Sequence, residues 1–262
     1  MSKPHRTDYA YAVGRIRVLE KDLIPGPVFR EAAGEKEVKE ALNIIFDAGR
    51  FLDENPGMMT PESLDNFLKR EEEHLINLAD NLLLEGEFLR LIQEEDQPES
   101  VLSLALRKGN SFLIDYLRHK IDLLNLKAIM RGKYMELSLS QLEPWIFPGG
   151  FLNEKDILTE YDEPLTHLGE SLRFSPYASI WEEGLEALSS KETFRVLERK
   201  MENLLMDYLN IARRVVFGPE PVCAYALAKK HEFKYFRLVV YGRLRAVPGE
   251  IIQERLGRTY AG

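Results

Sequence analysis

Apolar residues recur at helical spacing along almost the whole chain. The stretch 61–82 is the clearest case, because Thr60 followed by Pro61 is typical of a helix start and leucines recur along one face. The same periodicity predicts helices near 8–23, 38–52, 61–82, 87–95, 99–131, 191–217 and 222–241, with shorter ones from 153, after 164, from 179 and from 250. No run alternates convincingly between apolar and polar residues. The pattern therefore predicts an all-α chain.

One short pattern occurs twice in the chain, 110 residues apart, and each copy consists of an acid, an apolar–basic pair, a branched apolar residue and a glycine–basic pair. The first copy comprises Asp122, Asn125, Leu126, Lys127, Ile129, Gly132 and Lys133. The second copy comprises Glu232, Tyr235, Phe236, Arg237, Val239, Gly242 and Arg243. The positions match by residue type except Asn125 against Tyr235, which indicates an internal repeat.

The repeated pattern describes a helix that packs on one side and ends near a glycine. Leu126 and Ile129 share the buried face, and Phe236 and Val239 take the same places in the second copy. Both glycines, Gly132 and Gly242, are predicted as left-handed C-terminal caps beside the basic residues Lys133 and Arg243. Lys127 and Arg237 should pair with acids, most simply Asp122 and Glu232 on neighbouring turns, or line a groove between the units.

Two copies predict two similar multi-helix units. Pro144 and the Pro148, Gly149, Gly150 sequence form a turn near the middle of the chain, so the predicted units are 1–143 and 144–262. That turn lacks the Lys and Ser/Thr of a phosphate-binding loop, and no predicted strand precedes it. It is therefore interpreted as structural.

Composition limits the remaining functions. The 262 residues are 45% hydrophobic with a net charge of −8, which supports a large core and gives no general attraction to nucleic acid. The single cysteine, Cys223, excludes an internal disulfide and is interpreted as a buried, inert thiol. The polar start is unlike a secretory leader, and no apolar run approaches the ~18 residues of a membrane span.

Two alternatives remain open from the residues alone. Glu71 and His74 have the Glu-x-x-His spacing of carboxylate-bridged metal sites, although a solvated acidic face is the simpler interpretation. The basic C-terminal stretch beside Tyr235, Phe236 and Tyr241 could bind nucleic acid, although the aromatics occupy apolar helical positions. The arginines of that second alternative are Arg237, Arg243, Arg245, Arg255 and Arg258.

The order of these segments resembles the family formed by the C subunits of archaeal and bacterial A/V-type rotary ATPases, whose counterpart in the eukaryotic V-type enzyme is called the d subunit. The resemblance covers nearly the whole chain and is most specific at the C-terminal end. Its residues are Tyr9, Tyr11, Gly14, Arg15, Arg17, Glu20, Leu23, then Asp122, Asn125, Leu126, Lys127, Arg131, Gly132, Lys133, Pro148, Gly149, Gly150, then Phe217, Gly218, Pro219, Glu220, Pro221, Tyr225, Ala226, Ala228, Lys229, Glu232, Arg237, Gly242, Pro248, Glu250, Ile251 and Arg255.

The resemblance implies a funnel-like helical assembly on the cytoplasmic face of the membrane rotor ring, with the central-stalk shaft seated in it. It implies a non-catalytic coupling protein without a cofactor, whose partners are the central-stalk subunits and the rotor ring. Nucleic-acid binding and direct membrane insertion are not expected, and the coupling ion, proton or sodium, stays open. A general helical adaptor remains an alternative.

Eight residues of the repeat are the candidates for a structural or partner-interface role under this resemblance: Asp122, Asn125, Lys127, Gly132, Glu232, Arg237, Gly242 and Arg243. The chain departs from the family pattern in two ways. Tyr235 stands where the family usually has asparagine, and two repeat units are visible where typical members carry three.

Overall fold

A computed structural model describes residues 4–94 and 97–261. Over these residues the chain is all-α and contains no β-strand, as the hydrophobic pattern predicts. Its helices are α1 (Ala10–Leu19), α2 (Gly26–Gly34), α3 (Val38–Ala48), α4 (Pro61–Leu82), α5 (Gly86–Gln93), α6 (Pro98–Lys108), α7 (Ser111–Tyr134), α8 (Leu139–Leu142), α9 (Glu154–Thr159), α10 (Leu165–Ser171), α11 (Ala178–Lys191), α12 (Arg195–Leu209), α13 (Glu220–Leu244) and α14 (Gly249–Arg255). No helix in this part of the chain has both the length and the apolar character that a membrane crossing requires.

The helix boundaries follow the local capping residues. The Thr60 side chain accepts a hydrogen bond from the Ser63 amide and begins α4, as predicted. The predicted helix over 99–131 is broken near 109: Gly109 adopts φ +68°, and the Asn110 side chain accepts from the Leu113 amide and begins α7.

Several predicted helices have different limits in the structure; the one predicted over 38–52, for example, ends at Ala48. Pro25 ends the first helical stretch as expected, but it also caps α2, a helix that the sequence analysis missed, with Pro27 in its first turn. The predicted helix over 191–217 is shorter, because α12 is followed by a 3₁₀-helix, Asn210–Arg214. The predicted end of the 87–95 helix lies outside the described residues.

The chain divides into two compact units, and the division differs from the predicted one. Unit 1 comprises Met1–Gln93 with Met206–Gly262, and unit 2 comprises Glu94–Leu205. The predicted units 1–143 and 144–262 do not match this division, because α13 near the C-terminus packs against α1 to α5 near the N-terminus. Each unit nevertheless contains one copy of the repeated pattern, on α7 in unit 2 and on α13 in unit 1.

Each unit has a core around its long helix. In unit 1, Phe236 on α13 lies in a cluster of aromatic rings with Phe46, Phe51 and Phe67, at centroid distances of 5.4 to 6.0 Å. In unit 2, Leu126 and Ile129 on α7 belong to a buried cluster that includes Trp181. The predicted burial of Leu126, Ile129, Phe236 and Val239 is confirmed.

Candidate functional site

The repeated pattern places one acid in the middle of each long helix, and in unit 2 that acid is Asp122. Its side chain is 0% exposed, and its two oxygens accept hydrogen bonds from the amides of Phe151 and Leu152, at 3.0 and 3.1 Å. Asn125, one turn later, both donates to the Phe147 carbonyl and accepts from the Phe147 amide, each at 2.8 Å. These two side chains therefore anchor the segment 147–152 to α7 by satisfying its backbone groups.

A tyrosine and a histidine extend the Asp122 anchor. The Tyr177 hydroxyl donates to Asp122 at 2.7 Å, and Nδ1 of His119 lies 2.8 Å from the same hydroxyl. Since the tyrosine's single proton is directed to the carboxylate, Nδ1 of His119 must be the donor in the second bond. Burial raises the pKa of Asp122, against the hydrogen bond from Tyr177, and burial lowers the pKa of His119.

In unit 1 the corresponding acid is Glu232 on α13, which is 3% exposed. One of its oxygens accepts from the Ile24 amide at 2.7 Å, and the other forms a salt bridge with Lys229, one turn earlier on the same helix. Burial raises the pKa of Glu232, and the Lys229 ammonium opposes that shift. Glu232 therefore anchors the segment that leads into α2, as Asp122 anchors the segment that leads into α9.

Tyr235 replaces Asn125 in the second copy and takes over part of its task. Its hydroxyl accepts a hydrogen bond from the Gly257 amide at 2.7 Å. Gly257 lies 22 residues after Tyr235, the same separation as Phe147 from Asn125. The departure from the family pattern thus keeps a hydrogen bond at the equivalent backbone position.

Lys127 and Arg237, the first basic residue of each copy, pair with acids, but not with the predicted ones. Lys127 contacts Glu198 on α12 at 2.8 Å, and Arg237 contacts Asp65 on α4 at 3.4 Å. Asp122 and Glu232 are engaged with backbone amides and buried partners, so the predicted pairing within the helix is wrong. Both basic residues instead link their long helix to another helix of the same unit.

The glycines of the repeat are not left-handed caps. Gly132 and Gly242 lie inside α7 and α13, and the residues with positive φ come four positions later, at Glu136 (φ +55°) and Ala246 (φ +52°). A Cβ at Gly132 would lie 3.0 Å from the Leu142 side chain of α8, and one at Gly242 would overlap the Ile252 side chain of α14. The glycines therefore let the next short helix pack closely, and the chain reverses after them.

Both helix ends close with the same backbone bond. The amide of Leu137 donates to the Gly132 carbonyl, and the amide of Val247 donates to the Gly242 carbonyl, each at 2.9 Å. Arg243 adds side-chain bonds from its guanidinium to the carbonyls of Glu35 and Val247. Gly132, Gly242 and Arg243 therefore form contacts that hold together the ends of the long helices, each within its own unit.

The structure gives little support to the two alternatives left open by the sequence, a metal site at Glu71 and His74 and nucleic-acid binding by the C-terminal arginines. Glu71 accepts a hydrogen bond from the Leu52 amide at 2.7 Å, and no cluster suited to a metal ion occurs among residues 4–94 and 97–261. Arg237 and Arg258 pair with Asp65 and Asp207, and Phe236 lies in the core. Cys223 is fully buried, and burial raises the pKa of its thiol.

Sequence reasoning missed the partners of the two acids. Tyr177 lies 55 residues from Asp122, so no local pattern could have connected them. The Lys229 and Glu232 pair, three residues apart on a predicted helix, was visible in the sequence as a possible salt bridge. The arrangement as a whole fixes loops to long helices.

Comparison with known proteins gives three informative relatives. The chain is 26% identical over 148 residues to the C subunit of the A-type ATP synthase of Methanosphaera stadtmanae, covering 55% of this chain and 38% of that protein. It is 28% identical over 222 residues to the C subunit of the A-type ATP synthase of Methanothermobacter thermautotrophicus, covering 81% and 55%. It is 22% identical over 205 residues to the C subunit of the V-type sodium ATPase of Enterococcus hirae, covering 76% and 59%.

The chain therefore aligns with between 38% and 59% of the length of these relatives. No solved structure matches it. The family described as ATP synthase (C/AC39) subunit matches residues 99–255, which include both copies of the repeated pattern. This family consists of non-catalytic subunits of A/V-type ATPases. On the strength of that match, this chain belongs to the ATP synthase (C/AC39) subunit family.

Proposed function

We propose that this chain is a central-stalk coupling subunit of an A/V-type rotary ATPase or ATP synthase, which links the rotating shaft to the membrane rotor ring. Family membership over residues 99–255 carries the proposal. In this role the protein binds no nucleotide and makes or breaks no covalent bond; it transmits torque during proton or sodium transport. It would lie on the cytoplasmic face of the membrane and be held there by its protein partners.

The buried anchors support this mechanical role. A protein that transmits torque must resist deformation under load, and loops held by buried hydrogen bonds resist it better than solvated loops. Asp122 and Asn125 hold the segment 147–152, while Glu232 holds the segment before α2. We assign these residues a structural role: they keep the loops fixed to the long helices.

Arg237 is the member of the candidate set best suited to a partner contact. Its side chain is 54% exposed, and its contact with Asp65 is an exposed ion pair of the kind that contributes little to stability. A partner carboxylate could therefore compete for it at small cost. We propose Arg237 as an interface residue and the other seven candidates as structural residues.

Coupling can be tested in membrane vesicles that contain the native ATPase. Without this protein, ATP hydrolysis by the catalytic head should continue while ion transport is lost, and adding the purified chain back should restore transport. The purified chain alone should hydrolyse no nucleotide. Normal transport in vesicles that lack the chain would contradict the proposal.

Partner binding can be tested by affinity capture from native membranes. The tagged chain should recover central-stalk and rotor-ring subunits, and Arg237→Glu should recover less of one of them. Arg107→Glu reverses the charge of an exposed arginine on α6 and serves as the matched control. Recovery of neither set of subunits would indicate an adaptor for another assembly.

A further inference from the structure

A cavity of about 230 Å³ lies in unit 1 beside the Lys229 and Glu232 salt bridge. Its apolar wall is formed by aromatic and leucine side chains, among them Phe51, Leu75 and Phe233. Exposed Arg50 and His74 lie at its solvent side. The volume corresponds to roughly eight water molecules at ~30 Å³ each, which is below the size of a drug-like ligand and suits a small metabolite.

Tyr225 gives this cavity a polar group without a partner. The residue is 6% exposed and lines the cavity, and its hydroxyl forms no hydrogen bond with any residue in 4–94 or 97–261. Burial raises the pKa of Tyr225, so the phenol stays neutral and can both donate and accept. The hydroxyl is open to the cavity and is not sealed from solvent, so a molecule bound there can complete its hydrogen bonding in place of water.

Two opposite charges face the same space. Lys229 is 7% exposed, and within the described chain its ammonium uses one of three donors on Glu232 while it lies over the rings of Phe51 and Phe233. Glu71 is 4% exposed and uses one oxygen to accept from the Leu52 amide. The cavity therefore offers ammonium donors and a carboxylate acceptor in addition to the tyrosine hydroxyl.

We propose that this cavity binds a small zwitterion of the free α-amino acid class with an apolar side chain. The ligand carboxylate would accept from Lys229 and Tyr225, its ammonium would donate to Glu71, and its side chain would lie against Leu75 and Phe233. A simple anion would meet the Glu71 carboxylate, and a simple cation would meet the Lys229 ammonium. A zwitterion satisfies both groups because it carries both charges.

This site is independent of the coupling role, because the groups that form it belong to unit 1 alone. It would add a sensing function, in which ligand binding stabilises unit 1 by mass action. Loss of binding would leave the proposed coupling function untouched, and failure of the coupling assay would leave this proposal standing.

The test compares three probes on the purified full chain by calorimetry and thermal unfolding. L-leucine carries both charges, 3-methylbutylamine lacks the carboxylate, and 4-methylpentanoate lacks the ammonium. L-leucine should bind saturably and raise the melting temperature, and each of the other probes should bind about tenfold more weakly or worse. Equal affinities for the three probes, or no saturable binding of L-leucine, would overturn the proposal and leave a cavity filled by water.

Tyr225→Phe provides the structural control, because it removes the hydroxyl and keeps the ring. It should weaken L-leucine binding about tenfold. Tyr11→Phe removes the hydroxyl of an exposed tyrosine on α1 and should bind L-leucine as the wild type does. Wild-type affinity in a folded Tyr225→Phe would refute the assignment, and the three-probe comparison on the unmodified chain decides the matter if that variant does not fold.

Discussion

The two long helices solve the same problem with different chemistry. Each buries an acid that holds the backbone of a neighbouring segment, and each supplies a basic group three residues earlier on the same face. In unit 1 that basic group is Lys229, which contacts Glu232 directly. In unit 2 it is His119, which reaches Asp122 through the Tyr177 hydroxyl.

The difference follows from side-chain length and charge. Glutamate and lysine are long enough to meet across one helical turn, whereas aspartate and histidine leave a gap that the phenol fills. A direct Lys–Glu pair is strongly charged, and breaking it leaves a buried charge. The His–Tyr–Asp arrangement depends on hydrogen bonds and on a histidine whose pKa is lowered by burial. The two anchors should therefore respond differently to substitution and to pH.

The largest effect is expected from the core beneath the anchors. Phe236→Ala removes a ring from the aromatic cluster of unit 1 and should lower the free energy of unfolding by about 3 to 5 kcal/mol. Leu126→Ala, at the equivalent position of unit 2, should cost about 2 to 5 kcal/mol. Chemical denaturation of both variants measures these changes in the free energy of unfolding. A loss below about 1 kcal/mol in either variant would contradict the burial described above.

Lys229→Met should lower the free energy of unfolding by about 3 kcal/mol, because it leaves the Glu232 carboxyl buried without its countercharge. The double variant Lys229→Met with Glu232→Gln should recover part of that loss, since the neutral amide side chain would still accept from the Ile24 amide. If urea denaturation gives the single and double variants equal stability, the unpaired charge of Glu232 is not the cause of the loss in unfolding free energy.

Tyr177→Phe tests the bridged anchor of unit 2. It removes the hydrogen bond to Asp122 and should cost about 1 to 3 kcal/mol of unfolding free energy. Tyr161→Phe, which removes a hydroxyl bonded to the Leu137 carbonyl in the same unit, gives the comparison for an ordinary hydrogen bond. A Tyr177→Phe protein as stable as the wild type would mean that Asp122 is held by its amide donors alone.

The two anchors should also differ in pH dependence. Burial lowers the pKa of His119 below its ordinary 6.5, so the unfolded chain binds the proton more readily. The stability due to His119 is present above pH 6.5 and is lost as the pH falls through the lower folded-state pKa. His119→Gln should reduce the fall in unfolding free energy between about pH 7.5 and about pH 5.5, whereas the exposed His167→Gln should keep the wild-type dependence.

The smallest effect is expected at the exposed ends of the two helices. Arg245 and Met135 are equivalent surface residues beyond the repeat glycines. Arg245→Ala and Met135→Ala should each change the free energy of unfolding by no more than about 0.5 kcal/mol. A larger loss from either would mean that these ends carry contacts comparable to the buried anchors.

The fold was predictable to the extent that it depends on local pattern. Apolar periodicity is a local property, so it located α4 and the burial of Leu126 and Phe236. The division into units was not predictable in this way, because it depends on which distant helices α13 contacts. The anchors were only half predicted: the sequence marks Asp122 and Glu232, but their donors lie on segments brought near by the tertiary fold.

The repeat glycines show the same limit. Glycine near a helix end usually indicates a cap, and the local rule placed the chain reversal at Gly132 and Gly242. Close packing against Leu142 and Ile252 is a tertiary requirement that the local rule does not contain. The positive φ angles fall instead on Glu136 and Ala246, which are not residues that favour them.

Unit 1 is built from two segments that are made at different times during synthesis. On the ribosome, residues 1–93 emerge long before α13, whose side chains complete their core. At roughly 5–20 residues per second, the wait is on the order of ten seconds. Unit 2 is continuous in sequence, so all of its helices have been synthesised before α13 completes unit 1. The earliest helices of the nascent protein therefore lack part of their core until its last long helix has been synthesised.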